Sequence, residues 1–178
     1  MLDIIVLLML ALGFFIGAKR GLAMQALHIG SMAIASIVAI IFYKALAEKF
    51  VFWVPYPGIE ATAKAAVDFT NVDADMTFYR ILAFAMIYFA VMIVGKIIVS
   101  MFDYLAYIPF FPNSSRIGGA VLGMVEMYAA IYIMMYLIVM LPFDFVQART
   151  NHSVFANFLL EHTPVLAQIA KKLWYVYM

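Results

Sequence analysis

The chain has 178 residues, 68% of them hydrophobic and only 12% charged, with a mean hydropathy of +1.05. A soluble domain carries about 45–50% apolar and ~25% charged residues, so the charges here are too few to cover a water-facing surface, and a soluble enzyme is disfavoured. Eleven basic against ten acidic residues leave a formal +1 that gathers no nucleic acid, 16% aromatic content excludes disorder, and the absence of cysteine removes disulfides, thiol catalysis and Cys-based metal sites.

A membrane-crossing helix needs roughly 20 predominantly apolar residues, and four stretches qualify. The first, 4–18, is short at ~22 Å of helical rise and has to draw in Leu2 or sit in thinned bilayer. Lys19-Arg20-Gly21 links it tightly to the second, 22–43, which predicts an antiparallel hairpin. Residues 44–79 read as an extramembrane loop with five acids, the turn Pro55-Tyr56-Pro57-Gly58, an Ala-rich helical piece at 59–69, and Trp53 and Tyr56 as interfacial anchors. Asp75 or Thr77 is the expected cap of the third span, 81–102. Pro109, Pro112 and Asn113-Ser114-Ser115 end that span and cap the fourth, 117–141, which stops at Pro142.

Residues 1–142 thus form a four-span domain and 143–178 an amphipathic tail. In the tail, Thr163-Pro164 opens a helix with proline at its first position. Val165, Leu166, Ile169, Ala170, Leu173 and Tyr177 share one face, Gln168, Lys171 and Lys172 another, and Trp174 and Tyr175 fall at the boundary. That pattern suits a helix lying in the headgroup plane; packing against the extramembrane loop is the other reading. The expected fold is an all-α integral membrane protein, with about four transmembrane helices in two antiparallel hairpins and a C-terminal interfacial helix. Lys19-Arg20 follows the first apolar core and favours an outside N-terminus, hence both termini outside. Raw counting runs the other way, since the 44–80 segment and tail hold seven basic residues.

Ionisable residues inside spans are costly and call for a named partner. His28 lies ~9 Å in from the first link, and Lys96 and Glu126 lie ~9 Å and ~14 Å from the same face on adjacent antiparallel helices. Gln25 is one turn from His28 and points the same way. Two readings fit the cluster Gln25, His28, Lys96 and Glu126. One is a buried ion pair with hydrogen-bonding side chains that fix helix register; the other is a hydrated polar site or proton relay on a solute path. Gly13, Gly17 and Gly21, and again Gly119 and Gly123, recur at the G-x-x-x-G spacing that lets helix backbones approach closely. Catalysis is not expected. His28 and Ser31 lack an orienting carboxylate, His28, His152 and His162 lack metal-ligand spacing, and no nucleotide or metalloprotease motif is present.

Asp3 before the first span, then Gly17-Ala18-Lys19-Arg20-Gly21-Leu22 leading into the second, resembles the opening of the colicin V production protein (CvpA) family. Arg116-Ile117-Gly118-Gly119-Ala120 with Gly123 resembles its second signature, an arginine followed by glycines at the head of the last span. Length and four-span layout agree, so the resemblance covers nearly the whole chain. The family pattern places an acid where Gln25 stands and a base where Glu126 stands. Here the acid sits on the fourth helix and Lys96 supplies the base, which puts any role of a second-helix acid in question. The resemblance implies a bacterial inner-membrane protein linked to bacteriocin (toxin) production or export and envelope function, with no cofactor. Its expected partners are the lipid bilayer and other membrane proteins or a second copy, with no nucleic acid. Two activities stay open: an accessory or scaffold protein, and a small-solute transporter or channel subunit using the polar cluster.

Overall fold

Backbone polar groups find no partner in hydrocarbon, so a long apolar run without proline satisfies them internally, as helix. All six prolines lie outside the three long helices of this chain. In the computed structural model the described residues are 2–54, 73–101, 115–139, 153 and 164–175. They form α1 (Leu2–Trp53), α2 (Ala74–Ser100), α3 (Ser115–Val139) and α4 (Pro164–Trp174), with no strand among the described residues. The Pro55–Gly58 turn, the 59–69 helix, Pro109 to Ser114, Pro142, His152, His162 and Tyr177 lie outside them.

Three of these helices, α1, α2 and α3, are long and apolar enough to cross a membrane. They are apolar around their whole circumference, and their burial is inverted relative to a soluble protein. Leu8, Phe15, Ile34, Ile93 and Ile117 are exposed while Gln25, His28 and Glu126 are buried. Exposed apolar area on this scale marks a surface meant for lipid.

The spans expected at 4–18 and 22–43 fall within one 52-residue element, α1, interrupted at a single residue. Gly21 has φ 77° and ψ 172°, a conformation outside the helical region that only glycine adopts without strain. Nor does α1 stop at Tyr43. It runs to Trp53, into the expected loop, because Ala35, Ala39, Tyr43, Ala47 and Phe50 keep one buried stripe at helical spacing. Lys44, Glu48 and Lys49 occupy the exposed side of the same helix. Trp53 is exposed at its end.

α2 starts seven residues earlier than the span expected from 81 and ends at Ser100. Its cap is Asp73, not Asp75 or Thr77. The Asp73 Oδ1 accepts the Met76 N–H at 3.1 Å and its carbonyl accepts the Thr77 N–H at 3.0 Å, while Thr77 itself is fully buried. α3 covers Ser115–Val139, starting two residues before the expected 117, and residues 140 and 141 lie outside the described ones. Serine hydroxyls within α1 and α2 bond back to their own helices, Ser36 to the Met32 carbonyl at 2.9 Å and Ser100 to that of Ile97 at 2.7 Å, so they cost little in an apolar setting.

The chain divides into two compact units. One comprises Met1–Ile5, Ile40–Met86 and Tyr132–Met178; the other comprises Val6–Ala39 and Ile87–Ile131. In the first, Trp174 of α4 stacks edge-on with Phe84 and Tyr136, each at 5.2 Å between ring centroids. The Tyr43 hydroxyl donates to the Leu173 carbonyl at 2.7 Å, and the Tyr79 hydroxyl to that of Val54 at 2.7 Å. Tyr43 also meets Phe84, so rising numbers on α1 pair with falling numbers on α2, and the two helices are antiparallel. Asp3 accepts a hydrogen bond from the Ser153 hydroxyl at 2.6 Å. Trp174 and Tyr175, expected at the polar boundary of the tail helix, are instead buried, whereas Gln168, Lys171 and Lys172 are exposed.

Candidate functional site

The second unit, Val6–Ala39 with Ile87–Ile131, holds the polar cluster, and glycine contacts position it. A Cβ added to Gly13 would stand 2.7 Å from the Met127 Cβ, and one added to Gly17 would stand 2.9 Å from the Gly123 Cα. On the facing side, a Cβ on Gly119 would meet the Gly21 carbonyl carbon at 2.7 Å and one on Gly123 the Gly17 Cα at 2.8 Å. All five glycines named by spacing therefore lie in one backbone-to-backbone seam between the start of α1 and α3. Nothing larger than hydrogen fits there.

Along this seam the numbers run in opposite directions, Gly13 by Gly123 and Gly21 by Gly119. Past Gly21 the order reverses. Leu22 meets Gly118 and Gln25 meets Glu126, so rising α1 numbers now pair with rising α3 numbers. The Gly21 break thus delivers Gln25 to α3 at Glu126, next to Met127 at the Gly13 end of the seam.

There Glu126 is buried, and both of its carboxylate oxygens are engaged. Oε1 lies 3.0 Å from the Lys96 Nζ, and Oε2 accepts from the Gln25 Nε2 at 2.6 Å. These are charge-assisted contacts at strong-bond distances, each tying α3 to a different element. The Lys96 side chain is 44% exposed against 8% for Glu126, so the acid sits inside and the base runs along the surface. Gln25 is fully buried, and its Oε1 has no hydrogen-bond partner among the described residues. His28 is buried one turn along from Gln25, and its carbonyl accepts the Ser31 hydroxyl at 2.8 Å. The sequence-derived cluster is therefore assembled around Glu126, with Gln25 and Lys96 as its direct partners.

The motif residues lie apart from that carboxylate. Arg20 is half-buried beside the Gly21 break, Arg116 is exposed at the head of α3, and Asp3 belongs to the Ser153 contact of the other unit. One contact went unread in the sequence. A Cβ on Gly95 would stand 2.8 Å from the Ser31 Cβ, so Gly95, next to Lys96, admits the Ser31 side chain against the α2 backbone. A lone glycine adjacent to an intramembrane charge was the available signal. Among the described residues no group of three or more His, Asp or Glu is placed to hold a metal ion.

Comparison with known proteins agrees with this architecture. A family model described as Colicin V production protein matches residues 2–164. An uncharacterized transmembrane protein of Bacillus subtilis (strain 168), YshB, is 32% identical over 177 residues, covering 99% of each chain. No solved structure matches.

Proposed function

Because this chain belongs to the colicin V production protein family, we propose that it is an accessory or scaffold membrane protein in bacteriocin (toxin) production or export and envelope function. It binds other membrane proteins and catalyses no reaction. The observation that carries this reading is the Glu126 carboxylate, whose two oxygens are occupied by Lys96 and Gln25 of the same chain. A buried charge engaged in this way needs no solute to neutralise it, and its role is to fix how helices meet. In the proposed topology the chain resides in the bacterial inner membrane and crosses it four times. The Gly21 break forms the tip of the first hairpin, and both termini lie outside.

The test is charge reversal. Lys96→Glu or Glu126→Lys alone leaves like charges facing each other, and recovery of folded protein from membranes should collapse; the double reversal should restore folding and partner co-purification. A double reversal that folds but no longer supports function, together with sustained solute flux through liposomes holding the purified protein, would overturn the scaffold reading. That outcome would favour a small-solute transporter or channel subunit. The buried Gln25 Oε1, which has no hydrogen-bond partner among the described residues, and the half-exposed Lys96 are the observations that support this alternative.

A further inference from the structure

The second unit carries an open cleft of about 520 Å³ between α1 and α2, lined by Leu27, Gly30, Ile34, Val94, Gly95 and Ile98 among others. Its walls are apolar apart from Ser31, whose hydroxyl is already bonded to the His28 carbonyl. A Cβ on Gly30 would meet nothing within 4 Å, so the cleft is open at that point, unlike the closed glycine seam on α3. The cleft thus offers a long apolar slot without hydrogen-bonding groups, parallel to helices that cross the membrane.

Charge at one end of the same unit is one-sided. Lys19, Arg20 and Arg116 gather around the Gly21 break, where Leu22 and Gly21 abut Gly118 and Gly119. Glu126 is the sole acid among the described residues of this unit, and Lys96 already neutralises it. Among the described residues of this unit, Lys19, Arg20 and Arg116 are left over. Ala26, at the near end of the cleft, is five residues past Gly21, or ~7–8 Å along the helix, within reach of long basic side chains.

We propose that this cleft and the basic end beside it form a binding site for an anionic phospholipid, with an acyl chain along Gly30 and the phosphate at Lys19, Arg20 and Arg116. An apolar slot leading to cations with no acid partner among the described residues matches that two-part chemistry, whereas a partner helix would leave the cations unanswered. The inference depends on the membrane setting alone and stands whether or not the scaffold reading holds.

The full chain, reconstituted in phosphatidylcholine nanodiscs with or without phosphatidylglycerol, provides the test. Native mass spectrometry counts the retained lipid, and thermal unfolding reads its stabilising effect. The wild-type chain should retain phosphatidylglycerol in preference to phosphatidylcholine. Gly30→Leu, whose Cβ meets nothing within 4 Å, projects into the cleft and should lower retention at least about tenfold, as for two displaced methylenes. Arg116→Gln, at an exposed position that leaves folding intact, should lower it about fivefold and reduce its salt sensitivity. Equal retention of the two lipids, or unchanged retention in both variants, would overturn the proposal. So would a Gly30→Leu variant that changes oligomeric size without losing lipid, since that would make the cleft a helix-docking surface.

Discussion

Replacing Gly17 by alanine adds one methyl group to the tightest glycine contact among the described residues. That Cβ would stand 2.9 Å from the Gly123 Cα and press on the Gly119 carbonyl oxygen. Both obstacles are backbone, so no rotamer change relieves them, and the first arm of α1 has to move away from α3. Overpacking of this kind costs typically 1–3 kcal/mol, and contacts with no side chain to yield belong near about 3. Alanine returns about 1 kcal/mol of helix propensity relative to glycine, leaving a net loss of about 2 kcal/mol. Gly30→Ala is the matched control, because its Cβ meets nothing within 4 Å and only the propensity gain of about 1 kcal/mol remains. The two substitutions are chemically identical, yet they should differ by about 3 kcal/mol, with opposite signs against the wild type. Unfolding by sodium dodecyl sulfate in mixed micelles, followed by far-UV circular dichroism, reads the difference as a shift in midpoint. If Gly17→Ala and Gly30→Ala unfold together, the close approach of α1 and α3 is not what holds the seam, and the reasoning fails.

Trp174→Ala should release the tail helix, since the indole is buried between Phe84 and Tyr136; the loss of about 3 kcal/mol makes local opening up to about a hundredfold more frequent. Tryptic cleavage at the exposed Lys171 and Lys172 should accelerate accordingly, and an unchanged rate would mean the docking contributes nothing. Asp73→Ala removes the side-chain acceptor of the Met76 N–H and should cost about 1 kcal/mol, with fraying of the first turn of α2 visible as faster amide exchange there; Asp75→Ala, at a residue that does not cap, should leave that exchange nearly unchanged.

Much of the candidate site was legible because depth in a membrane is counted along the chain. Lys96 and Glu126 were placed at similar depth by helical rise alone, and they lie 3.0 Å apart. The glycine spacing named five residues that do share one seam. Where charge density decided the reading, it misled. Residues from 44 on read as the start of an acid-bearing loop, but Lys44, Glu48 and Lys49 ride on the exposed side of a helix whose buried stripe continues through Ala47 and Phe50. Trp174 was assigned to a polar boundary from its position on a helical projection, which shows where a side chain points and not which aromatic rings await it.

The sequence by itself determined that the chain is helical and apolar on its outside. Long proline-free runs leave the backbone no other way to satisfy itself in lipid, and Gly21 is the one residue in α1 whose backbone leaves the helical region. The tertiary structure alone decided which faces meet. Gln25 finds Glu126 across 101 residues and Tyr43 finds Leu173 across 130. No local pattern encodes such partners, because in an environment as apolar as the side chains themselves, choice of neighbour rests on close packing and a few polar contacts. Among the described residues those include the glycine seam, the Glu126 carboxylate and the Tyr43 hydroxyl.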